Sequence, residues 1–322
     1  MKEKVAVFII VFLLFSFLFS ELNAQNRIDS LKKKNRIIWT SSALGVGYGT
    51  STYLLNKAWY EDHPRSSFHF FNDWGEWNNV DKLGHVYASQ FQSNYAYHLY
   101  KWSGLKDKKA IIYGALTALL FQTTVEMLDG FSTDWGFSVF DFGANLLGTS
   151  LFVVQQSTWK KQNIILKVSG FPRAYDRKVQ YKEDTYISLE DRADDLYGSS
   201  PASRFLKDYN TQTYWASFNV KELLNQPGWP PWLSLSLGYG SENLYGGFNN
   251  RWVNDGNEIV LKDDAFSRYH QFYLSPDLDL TKIKTNSPFI KTLLGIVNIF
   301  KFPLPTIEFT SQGDFIFHFL KF

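Results

Sequence analysis

The chain has 322 residues, a formal net charge of +2 and no cysteine, so it can form no disulfide, thiolate metal site or cysteine nucleophile. No run of Lys and Arg, including the short LKKKNR at 31–36, is dense enough to suggest nucleic acid as a partner. Aromatic residues make up 18% of the sequence, which is more than a soluble core requires and is typical of membrane interfaces.

The N-terminus has the pattern of a secretory signal peptide. Lys2 and Lys4 precede an apolar run at 5–19, and Ala24 is small enough to precede a cleavage site. We therefore expect residues 1–24 to be removed and the mature protein to reach the periplasm or outer membrane and associate with a membrane. An uncleaved anchor is the alternative, although the run is shorter than the roughly 18 residues of a spanning helix.

Residues 25–160 are expected to form a helical bundle. Four apolar segments of roughly 20 residues follow one another, and Gly104, Gly130 and Gly136 mark the connections between them. Polar residues interrupt each segment before it reaches 18 apolar positions. Recurrent small residues allow close contact between helices. The sequence predicts an N-terminal four-helix bundle associated with a membrane.

Beyond about residue 162 the apolar period shortens toward two. Residues 161–210 are charged and rich in turn residues, and are expected to be a polar connecting region. Residues 211–322 contain short aromatic segments that alternate like strands. In WLSLSLGYG (232–240), serines and leucines occupy opposite faces, which predicts a half-buried antiparallel strand. The fold class is therefore α+β, with an aromatic-rich antiparallel β region after the helices.

Two acidic residues end the third predicted helix. Glu126 and Asp129 precede Gly130, where the negative end of the helix dipole costs an exposed acid about 0.3–1 kcal/mol. We expect something positive beside them: a Lys or Arg, a protonated histidine or a metal ion. Solvated acids in a loop are the alternative.

Further polar residues occupy the starts of the second and fourth predicted helices. Asp81 and His85 are four residues apart and share a helix face, although Asp81 could also be an N-cap. Ser138 and Asp141 fit an acidic capping box. Asn145 lies one turn deeper, where a buried amide needs a polar partner.

Antiparallel packing would bring these helix ends together. The sequence therefore predicts one polar pocket at an end of the bundle. Its members are Asp81, His85, Glu126, Asp129, Asp141 and Asn145. Four of them could hold a divalent metal ion: His85, Glu126, Asp129 and Asp141.

Pieces of this set occur in a recognisable order. DKLGH at 81–85, E..DG at 126–130 and GFS..D..AN..G at 136–148 resemble the family of predicted periplasmic lipoproteins typified by YfiM. They are more distantly similar to VanZ-like membrane proteins. The resemblance extends from Asp81 to Gly148 and implies a cell-envelope protein of unassigned activity. The chain departs from the family label because it has no cysteine to acylate.

Three functions remain open at this stage. The polar cluster could be a structural or binding network, or the site of a metal-assisted or acid–base enzyme acting on envelope lipid or cell-wall material. The aromatic sheet could instead bind an assembly partner. The sequence contains no HExxH, GxSxG, P-loop or Rossmann fingerprint. Membrane or envelope lipid is the expected partner, and the sequence indicates no particular protein partner.

Overall fold

The computed structural model describes residues 30–60, 64–182, 185–254, 256–261 and 266–321. The predicted signal peptide lies outside these residues. The chain divides into two compact units. Within the described residues, the first comprises residues 30–73, Lys82–Ile164 and Leu280–Val297, and the second comprises Trp74–Asp81, Ile165–Asp279 and residues 298–321.

Helices and strands both contribute to the described part of the chain. The α-helices are α1 (Ser30–Leu55), α2 (Val80–Trp102), α3 (Asp107–Asp129), α4 (Val139–Thr158), α5 (Leu189–Tyr197), α6 (Pro201–Lys207), α7 (Val220–Leu223) and α8 (Pro288–Val297). The strands are β1 (Phe70–Phe71), β2 (Phe137–Ser138), β3 (Ile164–Ser169), β4 (Lys178–Lys182), β5 (Thr185–Ser188), β6 (Thr213–Phe218), β7 (Leu233–Glu242), β8 (Arg251–Asn254), β9 (Asn257–Val260), β10 (Tyr269–Leu278), β11 (Leu304–Thr310) and β12 (Phe315–Lys321).

The first unit contains four long helices, α1 to α4, of 26, 23, 23 and 20 residues. Helix α3 ends at Asp129, and Gly130 follows as its C-cap. Helix α4 begins after Ser138, whose side chain accepts a hydrogen bond from the backbone N–H of Asp141. The observed end of α3 and the observed start of α4 therefore match the helix ends expected around the acidic residues.

Two glycines determine how closely α3 and α4 approach α2. A Cβ added to Gly148 on α4 would lie 2.1 Å from the carbonyl oxygen of Val86. A Cβ added to Gly114 on α3 would lie 2.7 Å from the carbonyl oxygen of Ser93. Neither position has room for a methyl group, so the helix backbones are in direct contact. This contact brings polar side chains from three helices close together.

A short parallel pairing connects the loop before α2 to the start of α4. Strands β1 and β2 pair with Phe71 opposite Ser138. The backbone N–H of Phe137 donates to the carbonyl oxygen of His69 at 2.9 Å. Asp73 follows β1 by two residues, and Ser138 Oγ donates to its carboxylate at 2.5 Å. The pairing therefore places Asp73 beside the first turn of α4, although the two are far apart in sequence.

The second unit is built on an antiparallel sheet of six strands in the order β12-β11-β10-β7-β6-β3. Strands β7 and β10 pair along ten residues, from Leu233 opposite Leu278 to Glu242 opposite Tyr269. Five of the six strands come from the segments whose alternation predicts strands. The mixed fold class and the C-terminal antiparallel sheet are thus confirmed.

Residues 161–210, expected to be a polar connecting region, contain regular structure. They include β3, the β4–β5 hairpin, α5 and α6. Helix α5 buries Leu189, Ala193 and Tyr197 in an aromatic core of the second unit. These residues are four apart and form one apolar stripe, which the surrounding charges obscure in the composition.

Helix α3 is the one helix of the described residues that is long and apolar enough to cross a membrane. This finding rests on length and composition, and the core helix of a soluble protein would meet the same criterion.

Substitutions at two glycines of α4 should have opposite effects on stability. Gly148→Ala should lower the free energy of unfolding by about 1–3 kcal/mol, because its methyl group meets the backbone of α2. Gly143→Ala, where nothing lies within 4 Å of the new methyl, should raise it by up to about 1 kcal/mol through helix propensity. Urea unfolding monitored by circular dichroism would measure both. Equal effects would contradict the close approach of α4 to α2.

Candidate functional site

A buried ion pair joins the starts of α2 and α4. Lys82 Nζ lies 2.5 Å from Asp73 Oδ2 and 2.9 Å from Asp141 Oδ1. Burial opposes ionisation of Asp73, but its contacts with Asp141, Lys82 and Ser138 outweigh burial and lower its pKa. Because all three charged groups are buried, loss of the lysine would leave uncompensated charge, which is strongly destabilising.

The imidazole of His85 faces acceptor oxygens on both sides. Its Nδ1 lies 3.2 Å from Asn145 Oδ1 and 3.5 Å from Glu126 Oε1, and its Nε2 lies 3.8 Å from Asp141 Oδ2. Burial and the nearby Lys82 charge lower the pKa of His85 to about 4. A neutral imidazole carries one hydrogen. One of the two ring nitrogens is therefore unprotonated, and its lone pair is directed at these neighbours.

The two acids at the end of α3 are disfavoured as anions. Burial and the neighbouring charge of Asp129 raise the pKa of Glu126 to about 8. Burial also raises the pKa of Asp129 to about 7, although Tyr60 OH donates to Asp129 Oδ1 at 2.6 Å. A lysine is close to these acids, but this residue, Lys82, makes its ion pairs with Asp73 and Asp141. At neutral pH a bound proton therefore compensates Glu126 in the protein alone.

Two polar atoms of this cluster are buried without a hydrogen-bond partner. They are Glu126 Oε1 and Asn145 Nδ2. Glu126 is 1% exposed and Asn145 is 0% exposed, so neither atom is paired with bulk water, and such atoms are uncommon in folded proteins. His85, Glu126 and Asp141 each offer one ligand atom, and these three atoms lie within 4.8 Å of one another. An imidazole and two carboxylates are a suitable ligand set for a divalent ion.

Among the predicted site residues, the structure brings His85, Glu126, Asp141 and Asn145 together. Asp129 lies one helical turn beyond Glu126, bonded to Tyr60, and is not one of the three residues grouped as ligands. Asp81 is buried and belongs to the second unit. Helix α2 begins at Val80, so Asp81 lies in its first turn rather than at the N-cap.

Sequence reasoning missed two members of the cluster, Lys82 and Asp73. Lys82 stands within DKLGH, three residues before His85, and that spacing alone could have placed it on the histidine's face. Asp73 lies in a Trp-rich loop, and no local pattern links it to α4. Its position depends on the β1–β2 pairing between segments far apart in sequence.

These features define an α+β protein whose helical unit buries an imidazole among carboxylates. Residues 69–157 match the family model described as "Predicted periplasmic lipoprotein (DUF2279)", and the match covers well under half of the chain. Its description supports a cell-envelope protein of unassigned activity and confirms the exported, periplasmic, membrane-associated location expected from the sequence. No curated protein and no solved structure matches the chain.

The raised pKa of Glu126 predicts a pH-dependent effect of Glu126→Gln. The folded protein holds this proton up to about pH 8, whereas the unfolded chain releases it near pH 4.5. The parent should therefore lose stability as pH rises through this window, by an amount on the order of 5 kcal/mol. The glutamine variant lacks this loss, so its stability relative to the parent should increase from pH 4.5 to pH 8.5.

Urea unfolding with a chelator present, at both pH values, would measure this difference. An identical change in the free energy of unfolding at the two pH values would contradict the buried, protonated state of Glu126.

Proposed function

We propose that His85, Glu126 and Asp141 bind one divalent metal ion in a cell-envelope protein. The observation that carries this proposal is the buried oxygen Glu126 Oε1, which has no hydrogen-bond partner and faces His85 Nδ1 at 3.5 Å. Asp141 adds a second carboxylate from the first turn of α4, close to the other ring nitrogen. Each ligand comes from a different helix, so an ion bound there would also fix the packing of α2, α3 and α4.

The charges around the cluster favour a cation at this position. Lys82 already neutralises Asp73 and engages one oxygen of Asp141, which leaves the other oxygen of Asp141 directed at His85. Glu126 has no cationic side chain bonded to it among the described ion pairs. A divalent ion would replace its proton and offset the repulsion between Glu126 and Asp129.

The ligand types narrow the choice of ion. Magnesium and calcium prefer shells made of oxygen. A neutral imidazole nitrogen with two carboxylates suits Zn²⁺ and related transition metals better. The low pKa of His85 keeps the imidazole in the neutral form that a metal requires.

Burial favours binding over catalysis. Glu126 and Asn145 are almost completely enclosed, which suits an ion better than a lipid or a cell-wall fragment. We therefore assign the cluster a binding and structural role. The enzyme alternative would need the same residues to become accessible to a large substrate.

The outer surfaces of the long helices support contact with a membrane. Trp39 and Val46 on α1, Leu120 on α3 and Leu147 on α4 are apolar and exposed. We propose that α1 to α4 form a four-helix bundle that meets envelope lipid through these side chains. The outer membrane as the location, and the likeness to YfiM and VanZ, belong to the same proposal.

Metal binding by purified protein would test the proposed site. After treatment with a chelator and dialysis, the parent should bind about one Zn²⁺ per chain, measured by titration calorimetry and elemental analysis. Glu126→Gln should lose this binding, because the amide keeps the shape but removes the charge. Asp107→Asn is the matched control: it lies at the exposed, opposite end of α3, paired with Lys101, and should bind like the parent.

The affinity should also depend on pH in one direction. Each unit of pH rise below about 8 should tighten binding by up to about tenfold, because one proton leaves Glu126 as the metal enters. Zinc bound equally by the parent and by Glu126→Gln, or zinc bound by neither, would contradict the proposed site.

A further inference from the structure

The six-stranded sheet of the second unit has its polar side chains inside and its apolar side chains outside. Along β7, Ser234 and Ser236 are buried, while Leu235 and Leu237 between them are 43% and 53% exposed. The same inversion follows β10 and β11. A sheet with one face in water normally shows the opposite arrangement, with the apolar face buried.

A network of charged groups fixes this orientation. On the buried face, Lys167 Nζ lies 2.8 Å from Asp277 Oδ2 and donates to the carbonyl oxygen of Leu278 at 2.8 Å. Lys301 Nζ donates to Ser275 Oγ at 3.1 Å and lies over the ring of Trp215, 5.0 Å from its centre. Because these buried ions have partners on the same face, rotating the strands to expose them would break the network. The apolar outer face is therefore a specified feature of the fold.

The strand register joins the outward side chains into continuous rows. One row runs across five strands through Ala216, Leu237, Leu274, Ile307 and Phe317. The next runs through Phe272, Phe309 and Phe315, and it ends at β7, where Tyr239 OH donates to the carbonyl oxygen of Asn78. Phe309 is 51% exposed and Phe317 is 62% exposed. An apolar surface this extensive is larger than those that soluble monomers normally leave in water.

Amphipathic aromatic residues border this surface at the start of β7. Trp229 and the exposed Trp232 stand at its start, and Trp229 Nε1 donates to the carbonyl oxygen of Leu233 at 2.7 Å. Trp side chains at the edge of an apolar band are typical of surfaces at a lipid–water interface.

We propose that the outer face of β6, β7, β10, β11 and β12 docks onto a phospholipid leaflet and places its Phe and Leu side chains among the acyl chains. The exposed Trp232 beside this apolar face and the membrane-associated location favour lipid as the occupant. The inference rests on the membrane-associated location within the proposed function, and it is independent of the metal ion.

The absence of cysteine permits a direct test with single labels. Phe272→Cys and Phe309→Cys would each carry an environment-sensitive fluorophore on the outer face. Val253→Cys, on an exposed position of β8 outside the sheet, is the matched control. Each labelled full-length chain is reconstituted in phosphatidylethanolamine–phosphatidylglycerol vesicles with or without brominated acyl chains.

Labels at 272 and 309 should show blue-shifted emission, and brominated lipid should quench most of that emission. The label at 253 should instead be quenched by aqueous iodide. Equal iodide quenching at all three positions in vesicles would overturn the proposal. So would labels at 272 and 309 that are shielded from iodide without lipid in a dimer, which would identify a second copy as the occupant. Zinc binding measured on the same labelled chains reports separately on the metal site.

Discussion

The helical unit depends on the ammonium group of Lys82, which is held between Asp73 and Asp141. This contact joins the loop after β1 to the first turns of α2 and α4. Gly114 and Gly148 then allow α3 and α4 to lie directly against α2. Glu126, in the last turn of α3, is 1% exposed. The carboxyl is therefore enclosed beside His85, and a proton or a cation has to compensate its charge.

Both units bury charged side chains in ion pairs. The helical unit buries Lys82 with its aspartates, and the sheet buries Lys167 and Lys301 with Asp277. In each unit, large apolar side chains are left at the surface. Buried ions contribute little net stability but penalise alternative arrangements, because any rearrangement that separates the partners leaves a charge unpaired. In a lipid environment the exposed apolar surface would no longer oppose this arrangement, which accords with a membrane-associated envelope location.

Local patterns predicted much of this structure and failed where distant segments decide the outcome. The end of α3 at Gly130, the N-cap at Ser138 and five sheet strands follow from short-range rules. The alternation in β7 defines two faces but does not say which is buried, because a period of two is the same whichever face is inside. Asp73 reaches the site through a long-range strand pairing. Proximity of Glu126 to His85 follows from helix order, but its raised pKa depends on burial, which only the packing shows.

Crystals of the protein soaked with Zn²⁺ and measured across the zinc absorption edge would test the metal site most directly. We expect one strong anomalous peak bonded to a ring nitrogen of His85 and to carboxylate oxygens of Glu126 and Asp141, at about 2.0–2.2 Å from each ligand atom. Lys82 should remain paired with Asp73. A zinc peak elsewhere in the chain, or no zinc peak at these three ligands, would contradict a metal-binding role for the cluster.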